Sequence, residues 1–224
     1  MRVVLRIGGS VVASPVNTDL MSKYAEIVQI LKGQGHEVAV VVGGGALARE
    51  FIGIAKKLGL EERVQDEIAI SVSRLFAQLF LKTIGEIGCI KVALTLDDAA
   101  DCLNAGKILV MGGLKPGITT DTVAALVAER IKADLLVKGT DQDGVYNKDP
   151  RKHADAVKLD HLSLDDLSKV FSESKHTAGI HQVIDPEAVK IMKRERMNLI
   201  VVNGFKPKNI LAAVNGETVG TVIN

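Results

Sequence analysis

The chain has 224 residues, 47% of them apolar and 25% charged, which is the composition of a folded globular protein and excludes a disordered one. Its 28 basic and 27 acidic residues leave a net charge of +1, and aromatics make up 3% with no Trp. Neither a phosphate-backbone footprint nor a base-stacking platform is therefore expected, which argues against a nucleic-acid partner. Cys89 and Cys102 lack metal-site spacing and read as two thiols of a reducing compartment rather than a disulfide framework. The start, Met1 to Ser10, is too short and too broken by Arg6 to be a signal peptide, and no long uncharged apolar run follows. A cytoplasmic protein with no spanning helix is expected.

In chain order, Val3–Ile7 reads as a strand and Leu20–Lys32 as a helix with Thr18 or Asp19 as N-cap. Gly33 to Gly35 ends that helix. Glu37–Val42 is a continuous apolar strand suited to a sheet covered on both faces. Ala46–Leu58 and Val64–Ile87 read as helices, Ile90–Leu94 as a strand, Leu96–Asn104 as a helix and Lys107–Met111 as a strand. Thr120–Lys132 is a helix and Leu135–Lys138 a strand. Gly139–Asp160, polar and rich in Asp and Lys, reads as a functional loop. Helices near Ser163–Phe171 and Pro186–Arg196, a strand at Leu199–Val202, a short helix at Pro207–Val214 and a strand at Thr218–Ile223 complete the chain. Strands that alternate with helices predict an α/β fold: a mainly parallel sheet between helical layers, in one domain spanning 1–224.

Three glycine clusters follow strands: Gly8-Gly9-Ser10, Gly43-Gly44-Gly45 and Gly112-Gly113. In a parallel sheet such turns gather at the carboxyl ends of the strands, where ligands bind. Glycine lets backbone N–H groups approach an anion closely, so three turns on one edge point to a polyphosphate. No Walker A pattern is present. Gly43 to Ala48 fits the dinucleotide pattern GxGxx[GA], but it follows the second strand rather than the first, which argues against a nicotinamide site. Thr119-Thr120-Asp121 offers hydroxyls at a helix start, for a phosphate or simply for an N-cap. Lys138 at a strand end suits neutralising a transferring phosphoryl group, a nearby carboxylate orienting Lys138, and Tyr146 lying against a purine. His36, His153 and His161 read as surface residues. His176 and His181 lack zinc-site spacing, and no GxSxG motif supports a hydrolase. Lys190 to Arg196 reads as a solvated basic face.

Four segments in order, Ile7–Ser10, Val40–Arg49, Met111–Ala125 and Thr140–Pro150, resemble the amino-acid kinase superfamily and, within it, the archaeal-type uridylate (UMP) kinases. The resemblance covers nearly the whole chain. It implies a three-layer αβα sandwich, Mg²⁺-ATP as donor, UMP as acceptor and a homohexamer built as a trimer of dimers. It implies an N-terminal lobe, about 1–132, for the acceptor and subunit contacts, with helix 64–87 at a subunit contact, and a C-terminal lobe, about 133–224, for ATP. It assigns Gly9 and Ser10 to the ATP phosphates, Gly45 and Arg49 to contacts with ATP, and Thr140, Tyr146 and Asp149 to adenine and ribose. Gly44, Asp66, Leu114, Lys115, Pro116, Gly117, Ile118, Thr119 and Thr120 would hold UMP, with Asp66 on the ribose. Arg6 and Lys138 would be the catalytic cations. Arg6 departs from the resemblance, because many relatives carry Lys there; Arg keeps the charge and changes its shape. The sibling isopentenyl phosphate kinases carry a His shortly after Gly-Gly-Gly, where this chain has Ala46-Leu47-Ala48-Arg49. Other small-acceptor kinases of the superfamily and a non-catalytic nucleotide-binding regulator stand as alternatives.

Overall fold

A computed structural model describes residues 1–13, 15–167 and 183–224. Its central sheet takes β1 (Arg2–Ile7), β2 (Glu37–Val42), β3 (Leu109–Met111), β4 (Leu135–Thr140), β7 (His161–Leu162), β8 (Leu199–Asn203) and β9 (Thr221–Ile223). The strand order is β3-β2-β1-β4-β8-β9-β7. The run from β3 to β8 is parallel throughout; β9 pairs antiparallel with β8, and β7 joins parallel to β9. The two-residue strands β5 (Val145–Tyr146) and β6 (Lys158–Leu159) form a separate hairpin inside the expected loop. One sheet therefore carries both halves of the chain.

Alternation along each strand explains the layers. Val3, Leu5, Ile7, Val38, Val40 and Val42 point to one face, into a core shared with helices α1 (Gly9–Val12), α2 (Thr18–Gly33), α3 (Gly45–Lys57), α4 (Glu62–Ile84) and α8 (Lys208–Val214). Val4, Ala39, Val41, Leu136, Leu199 and Val201 point to the other, against α5 (Leu96–Asn104), α6 (Thr120–Ile131) and α7 (Pro186–Glu195). Both faces are dry, so the strands carry near-continuous Val, Leu and Ile. The mainly parallel sheet between helical layers expected from the alternating pattern is what forms, as the three-layer sandwich that the resemblance implies.

Several local expectations are corrected. Asn17, not Thr18 or Asp19, caps α2: its side chain accepts from the Leu20 N–H at 2.9 Å. No strand forms at Ile90–Leu94. Gly88 and Ala93 make single parallel bridges to Ile108 and Met111, and the intervening Ile90 bulges outward, 96% exposed. β7 was not anticipated, since two residues carry no period. Cys89 and Cys102 are joined as a disulfide with their Cα atoms 6.0 Å apart. A separation of 13 residues was no guide, because the turn at Thr95 brings α5 back beside the chain it left. Glu62–Ile87 is, by length and composition alone, long and apolar enough to cross a membrane. Within the fold Phe76, Phe80 and Ile84 of this helix are buried against the sheet. The basic face Lys190 to Arg196 is solvated as expected, with Lys190, Lys193 and Arg194 each on a surface carboxylate. Residues 164–167 are helical; residues 168–171 of the helix expected at Ser163–Phe171, and His176 and His181, lie outside the described residues.

Candidate active site

The parallel run of the sheet places the turns after β1, β2, β3 and β4 on one edge. Two of those turns touch. A Cβ added to Gly9 would come 2.1 Å from the Gly45 nitrogen, closer than any real contact. Gly45 itself has φ of +62°, a conformation that costs Gly little and other residues more. Hydrogen bonds pin the set: Gly8 N–H donates to the Gly139 carbonyl at 3.0 Å, and Gly43 N–H to the Ile7 carbonyl at 3.1 Å. Glycine at these positions is thus required by backbone packing as well as offered to a ligand.

Beneath the turns lies a buried cluster of charge. Register puts Arg6 of β1 directly beside Lys138 of β4, two cations on one face of neighbouring strands. α6 covers that face, and its first turn sets Asp121 between them. Asp121 Oδ2 lies 2.5 Å from Lys138 Nζ, and Oδ1 lies 2.7 Å from Arg6 Nε. The second contact is a charge pair without hydrogen-bond alignment, so both of those buried atoms lack a hydrogen bond. Arg6 Nη2 donates to Thr120 Oγ1 at 3.0 Å, and Lys138 Nζ also donates to the Val183 carbonyl. Burial drives Lys138 down to about 8; Asp121 pulls it upward and Arg6 pushes it further down. Burial opposes charge on Asp121 too, but Arg6 and Lys138 outweigh it and hold the carboxyl below its ordinary range.

Two recesses open over this cluster. The larger, about 870 Å³, is lined by Arg6, Gly9, Ser10, Gly45, Arg49, Asp121, Lys138, Thr140, Tyr146 and Asp149, among others. The smaller, about 140 Å³, is lined by Asp66, Ile70, Ser73, Lys115 and Ile118, and Gly44, Ala48, Thr119 and Thr120 line both. Every residue assigned from sequence to the catalytic and ATP sets thus reaches the larger recess. Of the acceptor set, Gly44, Asp66, Lys115, Ile118, Thr119 and Thr120 reach the smaller one. Leu114, Pro116 and Gly117 do not line it. Leu114 packs on the core of the α6 face, and Gly117 donates its N–H to Asp66 Oδ2 at 2.7 Å. Thr119 caps α6 and donates to Asp185 Oδ2, which itself caps α7. Asp149 is not free for a ligand alone: Arg151 donates to it from N and Nε at 3.1 Å and holds its pKa down. Among the described residues no group of three His, Cys, Asp or Glu forms a metal cage, so a divalent ion here would be held by substrate phosphates and water.

Sequence reasoning left out Asp121 as a site residue, along with Ser73, Arg74, Arg151 and Asp185. Asp121 stood in plain view after Thr119-Thr120, but only the β1–β4 register shows that two cations flank it. A third hollow, about 900 Å³, lies at the far edge of the sheet around Cys89, Ile90 and Cys102.

Comparison with known proteins adds a second line. Residues 1–203 match the profile of the amino acid kinase family. The chain belongs to the amino acid kinase family. Curated relatives in this family include the uridylate kinase of Methanocaldococcus jannaschii, 44% identical over 225 residues, covering 100% of this chain and 99% of that one. The uridylate kinase of Methanobrevibacter smithii is 37% identical, again over 100% and 99%. The crystal structure of uridylate kinase from Archaeoglobus fulgidus superposes with a TM-score of 0.89 at 41% identity, covering 100% of both chains. The UMP kinase structure from Ureaplasma parvum, 19% identical with a TM-score of 0.82 over 100% of this chain and 98% of that one, shares the fold.

Proposed function

We propose that this member of the family is a UMP kinase, transferring the γ-phosphoryl group of Mg²⁺-ATP to UMP to give ADP and UDP, a step of pyrimidine nucleotide synthesis. The observation that carries the reading is the shared wall: a large recess and a small one meet at Gly44, Ala48, Thr119 and Thr120, above Arg6 and Lys138. Full-length identity of 44% with a uridylate kinase supports the acceptor.

In this reading ATP takes the larger recess. Gly9, Ser10, Gly45 and Arg49 face its phosphates, and Thr140, Tyr146 and Asp149 face adenine and ribose. UMP takes the smaller recess and its mouth, with Gly44, Asp66, Lys115, Ile118, Thr119 and Thr120 lining it and Leu114, Pro116 and Gly117 shaping the loop behind. In-line attack by a UMP phosphate oxygen on the γ-phosphorus asks for alignment and charge neutralisation rather than a covalent intermediate. Arg6 and Lys138 supply the positive charge, and Asp121 fixes both heads so that neither must reorganise during transfer. Mg²⁺ rides on the ATP phosphates and spreads their charge.

The same reading includes a homohexamer. Phe51 and Ile54 on α3, Leu58 at its C-terminal cap, and Leu75 and Leu79 on α4 are 43–71% exposed. Spacings of three or four residues put each set along one helix flank, a stripe suited to a second copy of the chain. Light scattering of Leu79→Glu, expected as a smaller species than wild type, tests that contact.

The deciding experiment is ADP release from Mg²⁺-ATP with UMP, set against CMP, dUMP, isopentenyl phosphate, N-acetylglutamate and carbamate. Turnover with UMP well above the rest is expected. Turnover only with another acceptor would overturn the acceptor and keep the ATP site; ATP binding without any turnover would mark a non-catalytic binder.

A further inference from the structure

The loop after β3 rests on α4 through contacts that the reaction reading does not use. Ser73 Oγ accepts from the Gly113 N–H at 2.7 Å. Arg74, one residue on, donates from Nε to the Gly113 carbonyl at 2.9 Å and from Nη2 to the Leu114 carbonyl at 3.0 Å. Gly112 lies so close that an added Cβ would meet the Arg74 nitrogen at 2.7 Å. Among the described residues no carboxylate pairs with Arg74. A half-buried guanidinium is thus spent on two carbonyl oxygens instead of an acid, although arginine normally seeks a carboxylate or phosphate fork.

Peptide planarity turns this grip into an orientation. In a trans peptide the N–H points opposite to the C=O. With the carbonyls of Gly113 and Leu114 both drawn to Arg74, the N–H groups of Leu114 and Lys115 point away from it. Neither N–H has a protein acceptor among the described residues. Gly113 and Lys115 line the smaller recess, whereas Arg74 does not. An unpaired N–H facing the recess is a ready donor for an electron-rich oxygen, and a cation behind the carbonyl of its peptide polarises it outward.

We propose that Arg74 is a positioning residue for the acceptor: it fixes the Gly113–Lys115 peptides so that the outward N–H of Lys115, which lines the recess, receives an acceptor oxygen. This rests on the smaller recess being the acceptor site. Nothing places Arg74 against the donor, so its loss acts on one substrate only. Arg74→Met keeps the apolar stem and removes charge and donors. The expected result is an acceptor KM raised about tenfold or more, with the ATP KM unchanged and the thermal midpoint close to wild type. Arg74→Lys, a compact ammonium in place of a planar fork, recovers part of the loss. In wild type the ¹⁵N–H signal of Lys115 moves when UMP is added, and in Arg74→Met it moves less.

Three results overturn the proposal: both KM values rising together with a fall in thermal midpoint, an unchanged acceptor KM, or an unmoved Lys115 signal. The acceptor reading is tested separately, in wild type alone. If wild type neither binds nor phosphorylates UMP, that reading fails before any variant is made, and the Arg74 proposal falls with it.

Discussion

The sheet has two large hollows of nearly equal volume, about 900 Å³ at its far edge and about 870 Å³ over its carboxyl-end turns. They differ in what converges on them. Around the edge hollow, Lys107 and Asp98 bond to nearby backbone, and the wall is held by a disulfide. Over the turns, two strands and a helix start deliver Arg6, Lys138 and Asp121 to one point. Converging charge in a buried place has to be built, because burying it costs free energy. The second hollow is therefore the one we propose as the site, and substitutions should separate the two.

The largest effect is expected from Asp121→Asn. Removing the charge leaves two buried cations facing each other and drives Lys138 lower still, so kcat should fall on the order of 10²–10³-fold, measured by ADP release at saturating substrates. A loss below a few-fold would mean that the cations hold their places without Asp121. Next comes Gly9→Ala, whose Cβ would collide with Gly45. Prising the two glycine turns apart should cost about 10²-fold in kcat/KM for ATP, with the acceptor KM less affected.

The pH profile comes third. Lys138 near 8 in the free enzyme acts as a cation, so kcat/KM for ATP should fall as pH rises through that value, by about tenfold per unit once it is neutral. Bound phosphates favour the charged form and should move the limb in kcat to higher pH. A profile flat to pH 10 would remove Lys138 from phosphoryl neutralisation. Smallest on activity is Cys102→Ser at the edge hollow. It should lower stability by about 3 kcal/mol, the usual worth of closing a loop of this size, and leave turnover within about twofold of wild type. A large loss of turnover there would collapse the distinction between the two hollows.

Much of this was readable in the chain, for physical reasons. Strands buried on both faces must be continuously apolar, and Val38 to Val42 announces one. Turns that bring backbones together must be glycine, and Gly9 and Gly43 to Gly45 announce where. What stayed hidden depends on register. Nothing local to Asp121 shows that β1 and β4 set Arg6 and Lys138 beside it, and nothing local to Arg74 shows which carbonyls it meets. The disulfide was hidden likewise, since its geometry comes from the turn before α5, and β7 was hidden because its two residues pair only once β9 has reversed direction. The residues that the resemblance to uridylate kinases assigns to ATP all lie around the larger recess, while Leu114, Pro116 and Gly117 lie in the loop beside the smaller one.

The reversal at β9 has a practical consequence. β1 starts at the sheet edge opposite the glycine turns, and β9, antiparallel to β8, ends at that same edge, Ile223 beside Leu199. Met1 and Asn224 therefore both leave the sheet on the side away from the substrates. A label, a surface linker or a partner attached at either residue would trail behind the sheet, so immobilisation through Met1 or Asn224 should leave the mouth of the cleft unobstructed.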